Sequence, residues 1–206
     1  MIHFVGAGCG AEDLITVRGQ RFISEADVII YAGSLVNPKL LDGKKEGCVV
    51  YNSAEMTLEE VLSVMYEAED RGQTAVRLHT GDPCLYGAIR EQMDALDKKE
   101  IAYDDTPGVS SFCAAAAALK APLCTDREEL HILPGSINAE NALAYPGTKV
   151  FMKGELGRLL DAIEQSGKTA QAAENCGTEN EHLYRTAGEI PKDAGYYLVT
   201  IVKEEA

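Results

Sequence analysis

Short β-type runs alternating with helical stretches constrain this chain more than any other feature of it. Ile2 to Val5, Asp27 to Tyr31, Gly47 to Tyr51, Thr74 to Leu78 and Ala102 to Asp105 are each short, and most are apolar. Between the first two runs, Leu14, Val17, Phe22 and Ile23 roughly follow one helical face. Thr57, with Glu60 three residues later, forms a capping box for a helix from Leu58 to about Arg71. A further helix is predicted from Ala88 to Lys99. Strands that alternate with helices in this way give an α/β lobe with a largely parallel sheet.

Pro107-Gly108 interrupts the alternation, and Ser110-Ser111 can cap the alanine-rich helix Phe112 to Leu119. The lobe boundary is placed here, giving an N-terminal α/β lobe over 1–109 and a smaller α/β lobe over 110–206. The second lobe offers strands at Leu130 to Leu133, Lys149 to Met152, Ala170 to Glu174 and Tyr197 to Val202, with one helix from Leu156 to Gln165. Tyr184 to Thr186 is a candidate short strand.

A chain of 206 residues with 46% hydrophobic content can bury a substantial core. The formal net charge of −14 argues against a task of neutralising nucleic-acid phosphates. The apolar start runs straight into glycines without the charged and long apolar regions of a signal peptide, and no run approaches the ~20 residues that span a bilayer. A soluble, cytoplasmic protein without membrane association is expected. The cysteines (Cys9, Cys48, Cys84, Cys113, Cys124, Cys176) form no C-x-x-C pair, and the histidines (His3, His79, His131, His182) are dispersed. Reduced thiols and no metal site are expected.

Three loops carry chemistry. Gly6-Ala7-Gly8-Cys9-Gly10 is a strand-to-helix turn that lets backbone N–H groups approach a phosphate. It lacks the last glycine of G-x-G-x-x-G, and Tyr31 and Ala32 stand where a dinucleotide fold wants an acidic ribose ligand. A nicotinamide or flavin site and a purely structural turn both remain open from this loop alone. His79-Thr80-Gly81-Asp82-Pro83-Cys84-Leu85-Tyr86-Gly87 follows a parallel strand, where open α/β sheets place their ligands. Asp82 there can accept from a ligand ammonium or ribose hydroxyl, or simply shape an Asx-type turn. Thr106-Pro107-Gly108-Val109-Ser110-Ser111 brings hydroxyls and N–H groups to a helix N-terminus, as a cap or as donors to a polar ligand.

In this order and spacing the loops resemble the tetrapyrrole methylase family, the uroporphyrinogen and precorrin methyltransferases. Over the first half the resemblance is nearest to the precorrin-4 C11-methyltransferase branch. It rests on Gly6-Ala7-Gly8, Asp13 to Gly19, Tyr31-Ala32-Gly33-Ser34-Leu35-Val36, Arg77 to Asp82 and Tyr103 to Val109. In the second half, Leu130 to Ser136, Gly147 to Lys153, Glu174 to Gly177 and Ala194 to Tyr197 resemble the precorrin-2 C20-methyltransferase branch. The family's usual proline in the first glycine loop is Cys9 here.

The resemblance implies two α/β lobes with S-adenosylmethionine folded up between them and a trough for the macrocycle. Thr80, Gly81, Asp82, Leu85, Ser110 and Ser111 would line the cofactor site from the first lobe, and Met152, Ala173, Tyr197 and Leu198 from the second. Gly8, Cys9 and Gly10 would face the tetrapyrrole, and Arg18 and Lys153 would meet its carboxylates. The reaction would be in-line transfer of a sulfonium methyl to an electron-rich ring carbon, accelerated chiefly by alignment. His79 is the candidate acid or base by type and position, against a structural role. The expected acceptor is C11 of precorrin-4 or its cobalt form. The alternatives are C20 of precorrin-2 or its cobalt form, and a family member that binds cofactor without turnover. Family members commonly form homodimers, which is the expectation here.

Overall fold

The computed structural model describes residues 1–33, 36–154 and 156–204, with the side chains of residues 153 and 154 excepted. Ser34 and Leu35 of the expected motif, and the side chain of Lys153, lie outside the described residues. The chain divides into two compact units, Met1–Ser110 and Ser111–Ala206.

The first unit runs β1 (Ile2–Gly6), α1 (Val17–Glu25), β2 (Val28–Tyr31), β3 (Val49–Asn52), α2 (Leu58–Asp70), β4 (Ala75–His79), α3 (Arg90–Asp97) and β5 (Tyr103–Thr106). Its strands form one sheet in the order β3-β2-β4-β1-β5, and every pairing is parallel. Parallel strands covered on both faces read as continuous apolar runs, and every residue of β1 and β4 is buried. Ile2, Phe4, Val28 and Ile30 pack with Val61 and Met65 of α2 and Leu96 of α3. Val5, Ile29, Val76 and Leu78 take the opposite face with Ile23 of α1. Each such side chain, fully buried, contributes about 1.5–3 kcal/mol. The edge strand β3 is covered less, which leaves Val49 and Tyr51 exposed.

The capping box forms as expected, with Thr57 and Glu60 each bonding the other's backbone N–H at the start of α2. The expected face of the first helix does not. Val17 stands in the first turn of α1 at 90% exposure and Leu14 is 40% exposed, while the helix buries Gly19 and Ile23. The helix starts only after Thr16, whose hydroxyl caps Gly19 N–H, so Leu14 belongs to a preceding 3₁₀ turn with its own direction. The third helix is shorter than predicted because Tyr86 and Ala88 have φ of 56° and 52°, outside helical space.

The second unit runs α4 (Ser111–Leu119), β6 (Leu130–Gly135), α5 (Ala139–Leu143), β7 (Thr148–Gly154), α6 (Leu156–Ser166), β8 (Thr169–Glu174), β9 (His182–Tyr184) and β10 (Leu198–Lys203). The sheet order is β6-β7-β10-β8-β9, with β6 and β7 parallel and the remaining pairs antiparallel. Leu159, Leu160 and Ile163 of α6 bury against Leu133, Phe151, Ala172, Leu198 and Val202. Val150, Met152, Ala173, Val199 and Ile201 alternate to the other face. The short strand expected over Tyr184 to Thr186 is formed two residues earlier. Helix α5 was not foreseen, although Asn138 caps it through Asn141 N–H.

Candidate functional site

The connection leaving β1 continues through α1 on one face of the first sheet, and that leaving β4 continues through α3 on the other. Neighbouring strands whose connections part in this way open a crevice at their carboxyl ends. The expected loops after β1, β4 and β5 all meet there. Gly8 and Gly81 form an antiparallel bridge, with Gly81 N–H donating to Gly8 O at 2.7 Å and Gly8 N–H to Gly81 O at 3.2 Å. Ala7 N–H donates to His79 O at 2.7 Å.

The third loop crosses the same point at backbone distance. A Cβ on Gly6 would lie 2.4 Å from Gly108 N and 2.7 Å from Gly81 O. A Cβ on Gly108 would lie 2.1 Å from Gly81 O and 2.8 Å from Gly6 Cα. Gly6 and Gly108 therefore stack against each other and against Gly81 O without room for a side chain on either. At Gly81 the constraint is different: φ is +64°, and a Cβ would meet only Ser110 Cα at 3.9 Å. Nothing else crowds that position, and Thr80, Asp82, Leu85 and Ser110 of the same loops are half-buried. Ser111 is the first residue of α4 and belongs to the second unit.

Asp82 holds this arrangement from within. Its Oδ1 accepts from Cys84 N–H at 2.9 Å, and its Oδ2 from Gly108 N–H at 3.1 Å. Beside it, Cys84 Sγ donates to Asp105 Oδ2 at 2.8 Å. That hydrogen bond to a carboxylate, with some desolvation, pushes the Cys84 thiol up to about 11, so it stays protonated at neutral pH.

His79 lies beneath the loops at 5% exposure, and its Nε2 has no hydrogen-bond partner among the described residues. Burial and the neighbouring Arg77 drive its pKa down to about 3, so the imidazole is neutral at physiological pH. Arg77 is itself buried and donates to Gln92 Oε1, Ile30 O and Leu78 O, joining β2 and β4 to α3. Thr106, at 1% exposure, also has an unpartnered Oγ1 among the described residues.

Gly8 and Gly10 have φ of 79° and 133°, which only glycine adopts readily, and Cys9 between them is partly exposed. Arg18 projects from the first turn of α1 and is exposed. In the second unit Met152, Val199 and Ala173 stand side by side across β7, β10 and β8. Directly paired residues share a face, so Val199 completes the row that contains Met152 and Ala173. Leu198 turns to the opposite face and packs in the core with α6. Tyr197 precedes β10 and is 39% exposed.

Sequence reasoning found the loops but missed Gly6 and Gly108 as a stacked pair, Val199 in the row, and the Cys84–Asp105 pair. Pro107-Gly108 was legible as a break. Its partner was not, because the contact depends on β5 pairing with β1.

A family model described as Tetrapyrrole (Corrin/Porphyrin) Methylases matches residues 1–191. The chain is 57% identical over 122 residues to a cobalt-precorrin-4 C(11)-methyltransferase of Methanocaldococcus jannaschii, covering 59% of this chain and 47% of that relative. It is 49% identical over 118 residues to a precorrin-4 C(11)-methyltransferase of Pseudomonas aeruginosa, covering 57% and 47%. The chain thus spans about half the length of these curated relatives. The solved structure of the cobalamin biosynthetic enzyme cobalt precorrin-4 methyltransferase, CbiF, superposes with a TM-score of 0.84 at 27% identity, over 98% of this chain and 94% of that one. A uroporphyrin-III C-methyltransferase from Thermus thermophilus, complexed with S-adenyl homocysteine, shares the fold with a TM-score of 0.79 at 22% identity, over 98% and 97%. With parallel and mixed sheets in sequence and glycine loops gathered at the carboxyl ends of the first, this chain belongs to the tetrapyrrole (corrin/porphyrin) methylases.

Proposed function

We propose that the chain carries out S-adenosylmethionine-dependent C-methylation of a corrin precursor in cobalamin biosynthesis, with C11 of precorrin-4 or cobalt-precorrin-4 as acceptor. The observation that carries this reading is the 57% identity over 122 residues to the Methanocaldococcus jannaschii relative. The loop cluster fits a nucleoside-type cofactor: Gly81 leaves its backbone open on one side, with half-buried polar side chains around it. The cofactor would supply a methyl on a sulfonium, which departs as a neutral thioether.

In this reading Thr80, Gly81, Asp82, Leu85 and Ser110 form the cofactor surface of the first unit. Ser111, Met152, Ala173, Tyr197 and Leu198 are the cofactor contacts assigned to the second, with Leu198 confined to its backbone by the inward turn of its side chain. Gly8, Cys9 and Gly10 meet the tetrapyrrole, and Arg18 and Lys153 take its carboxylates. Both reactants arrive activated, so the protein's contribution is alignment and charge pairing. His79 moves no proton at neutral pH in this scheme, since an imidazole with a pKa of about 3 is a poor acid-base partner there.

Mass-spectrometric methyl-transfer assays with precorrin-4 and precorrin-2, each with and without cobalt, test the proposal. Methylation of a precorrin-4 form is expected; transfer to precorrin-2 instead would move the acceptor to C20, and binding without transfer would leave a non-catalytic member. Arg18→Glu is expected to raise KM for the tetrapyrrole about tenfold and leave cofactor affinity unchanged. The same reading gives a cytoplasmic homodimer, which light scattering checks against the 22.2 kDa chain mass.

A further inference from the structure

Strands β4 and β5 are not neighbours, because β1 lies between them. The loop leaving β4 must therefore pass over the end of β1 to reach the loop leaving β5. Gly6 is the residue it passes over, which is why a Cβ there would strike both loops. Contact between the first two loops is backbone to backbone, through the Gly8–Gly81 bridge. The second and third loops also touch at the backbone, where Gly108 meets Gly81 O, but the hydrogen bond that joins them comes from a side chain: Asp82 accepts from Cys84 N–H with one oxygen and from Gly108 N–H with the other. Both partners are donors, so the joint needs two acceptor atoms at one position, and a carboxylate supplies them with charge assistance.

We infer that Asp82 is a positioning residue whose carboxylate clasps the β4 loop to the β5 loop over the end of β1, setting the backbone that meets the cofactor. The inference rests on the cofactor reading above and assigns the ligand's ammonium to other groups. An asparagine would turn an NH₂ donor toward one of the two N–H groups. A serine would keep the local turn to Cys84 N–H with its single oxygen and give up the span.

The test compares wild type, Asp82→Asn and Asp82→Ser by calorimetry with S-adenosylhomocysteine and with 5′-methylthioadenosine, which lacks the amino-acid end. The clasp predicts that both ligands lose affinity by the same factor, about tenfold or more. A loss confined to S-adenosylhomocysteine would make Asp82 a direct ligand and overturn the inference, as would no loss for either. Amide hydrogen exchange on the ligand-free protein separates this from the cofactor reading. Gly108 N–H should exchange about tenfold faster or more in Asp82→Ser, and either Gly108 or Cys84 N–H in Asp82→Asn, while β1 and β4 amides keep their protection and show the fold intact. Unchanged exchange at Gly108 in Asp82→Ser overturns the clasp even if wild type binds neither ligand, an outcome that would sink the cofactor reading separately.

Discussion

In the first unit most candidate residues sit on three loops whose backbones touch; in the second, Met152 and Ala173 sit in register with Val199 across the middle of a sheet. The loops gain their closeness by doing without side chains: Gly6 and Gly108 approach each other and Gly81 O at distances no Cβ could share, and Gly81 turns with a positive φ. The sheet row gains its closeness from strand pairing, which brings Met152, Val199 and Ala173 together whatever their side chains. A site of the first kind leaves a motif in the sequence, because only glycine fits. One of the second kind leaves none, because any small or medium apolar residue serves.

The largest effect should follow from putting a methyl group into the stack. Gly108→Ala places Cβ 2.1 Å from Gly81 O and 2.8 Å from Gly6 Cα, both backbone atoms that cannot swing away. A loss of about 3 kcal/mol or more is expected, read by urea unfolding. A cost below about 1 kcal/mol would mean that the loops are not held at these distances, and the contrast with the second unit would collapse.

The contrast also explains what was legible. The parallel sheet was readable because β1 and β4 are short, largely apolar runs that alternate with helical stretches, and the helix at Leu58 because Thr57 and Glu60 announce it. Val17 misled because it is apolar and helically spaced, yet Thr16 caps the helix immediately before it and leaves Val17, the first helical residue, facing solvent. The Asp82–Gly108 joint was not legible, because 26 residues separate the partners and only the crossing of β1 brings them together. Helix α5 spans only five residues, too short for a periodic signal, though Asn138 marks its start.

A smaller effect sharpens the account of the loop interior. Asp105 holds the Cys84 thiol well above the usual thiol range through an S–H···O hydrogen bond. Asp105→Asn removes the charge, so the thiol should fall back toward its ordinary value and react faster with iodoacetamide near pH 9, by about tenfold. An unchanged rate would show that the carboxylate does not govern the thiol.

The second unit carries its own charged joint, and its loss should be milder. Lys149 has no exposed side-chain surface and its Nζ lies 2.5 Å from Glu204 Oε1, while Lys168 Nζ donates to Glu204 Oε2. These hydrogen bonds hold the Glu204 carboxyl below its usual range. A depressed folded-state pKa gives stability that is present above the unfolded glutamate value and lost as pH falls through the folded one. Glu204→Gln should therefore cost about 1 kcal/mol at pH 7, discounted because Glu204 is 48% exposed, and progressively less as the pH is lowered through the folded-state value. A pH-independent cost would assign the effect to packing instead of charge.

The smallest effect tests the glycines from the other side. Gly157 lies in α6, where a Cβ would meet nothing within 4 Å and no positive φ demands glycine. With neither close approach nor left-handed backbone to preserve, Gly157→Ala should stabilise the second unit by about 0.4–1 kcal/mol, through lower unfolded-chain entropy and better helix propensity. The sign is the point: the substitution that breaks the first unit at Gly108 should strengthen the second at Gly157. Thermal unfolding of both variants reads the two signs. A destabilised Gly157→Ala would show that this turn of α6 has a partner that its open surroundings do not reveal, and space alone would no longer separate the two kinds of glycine.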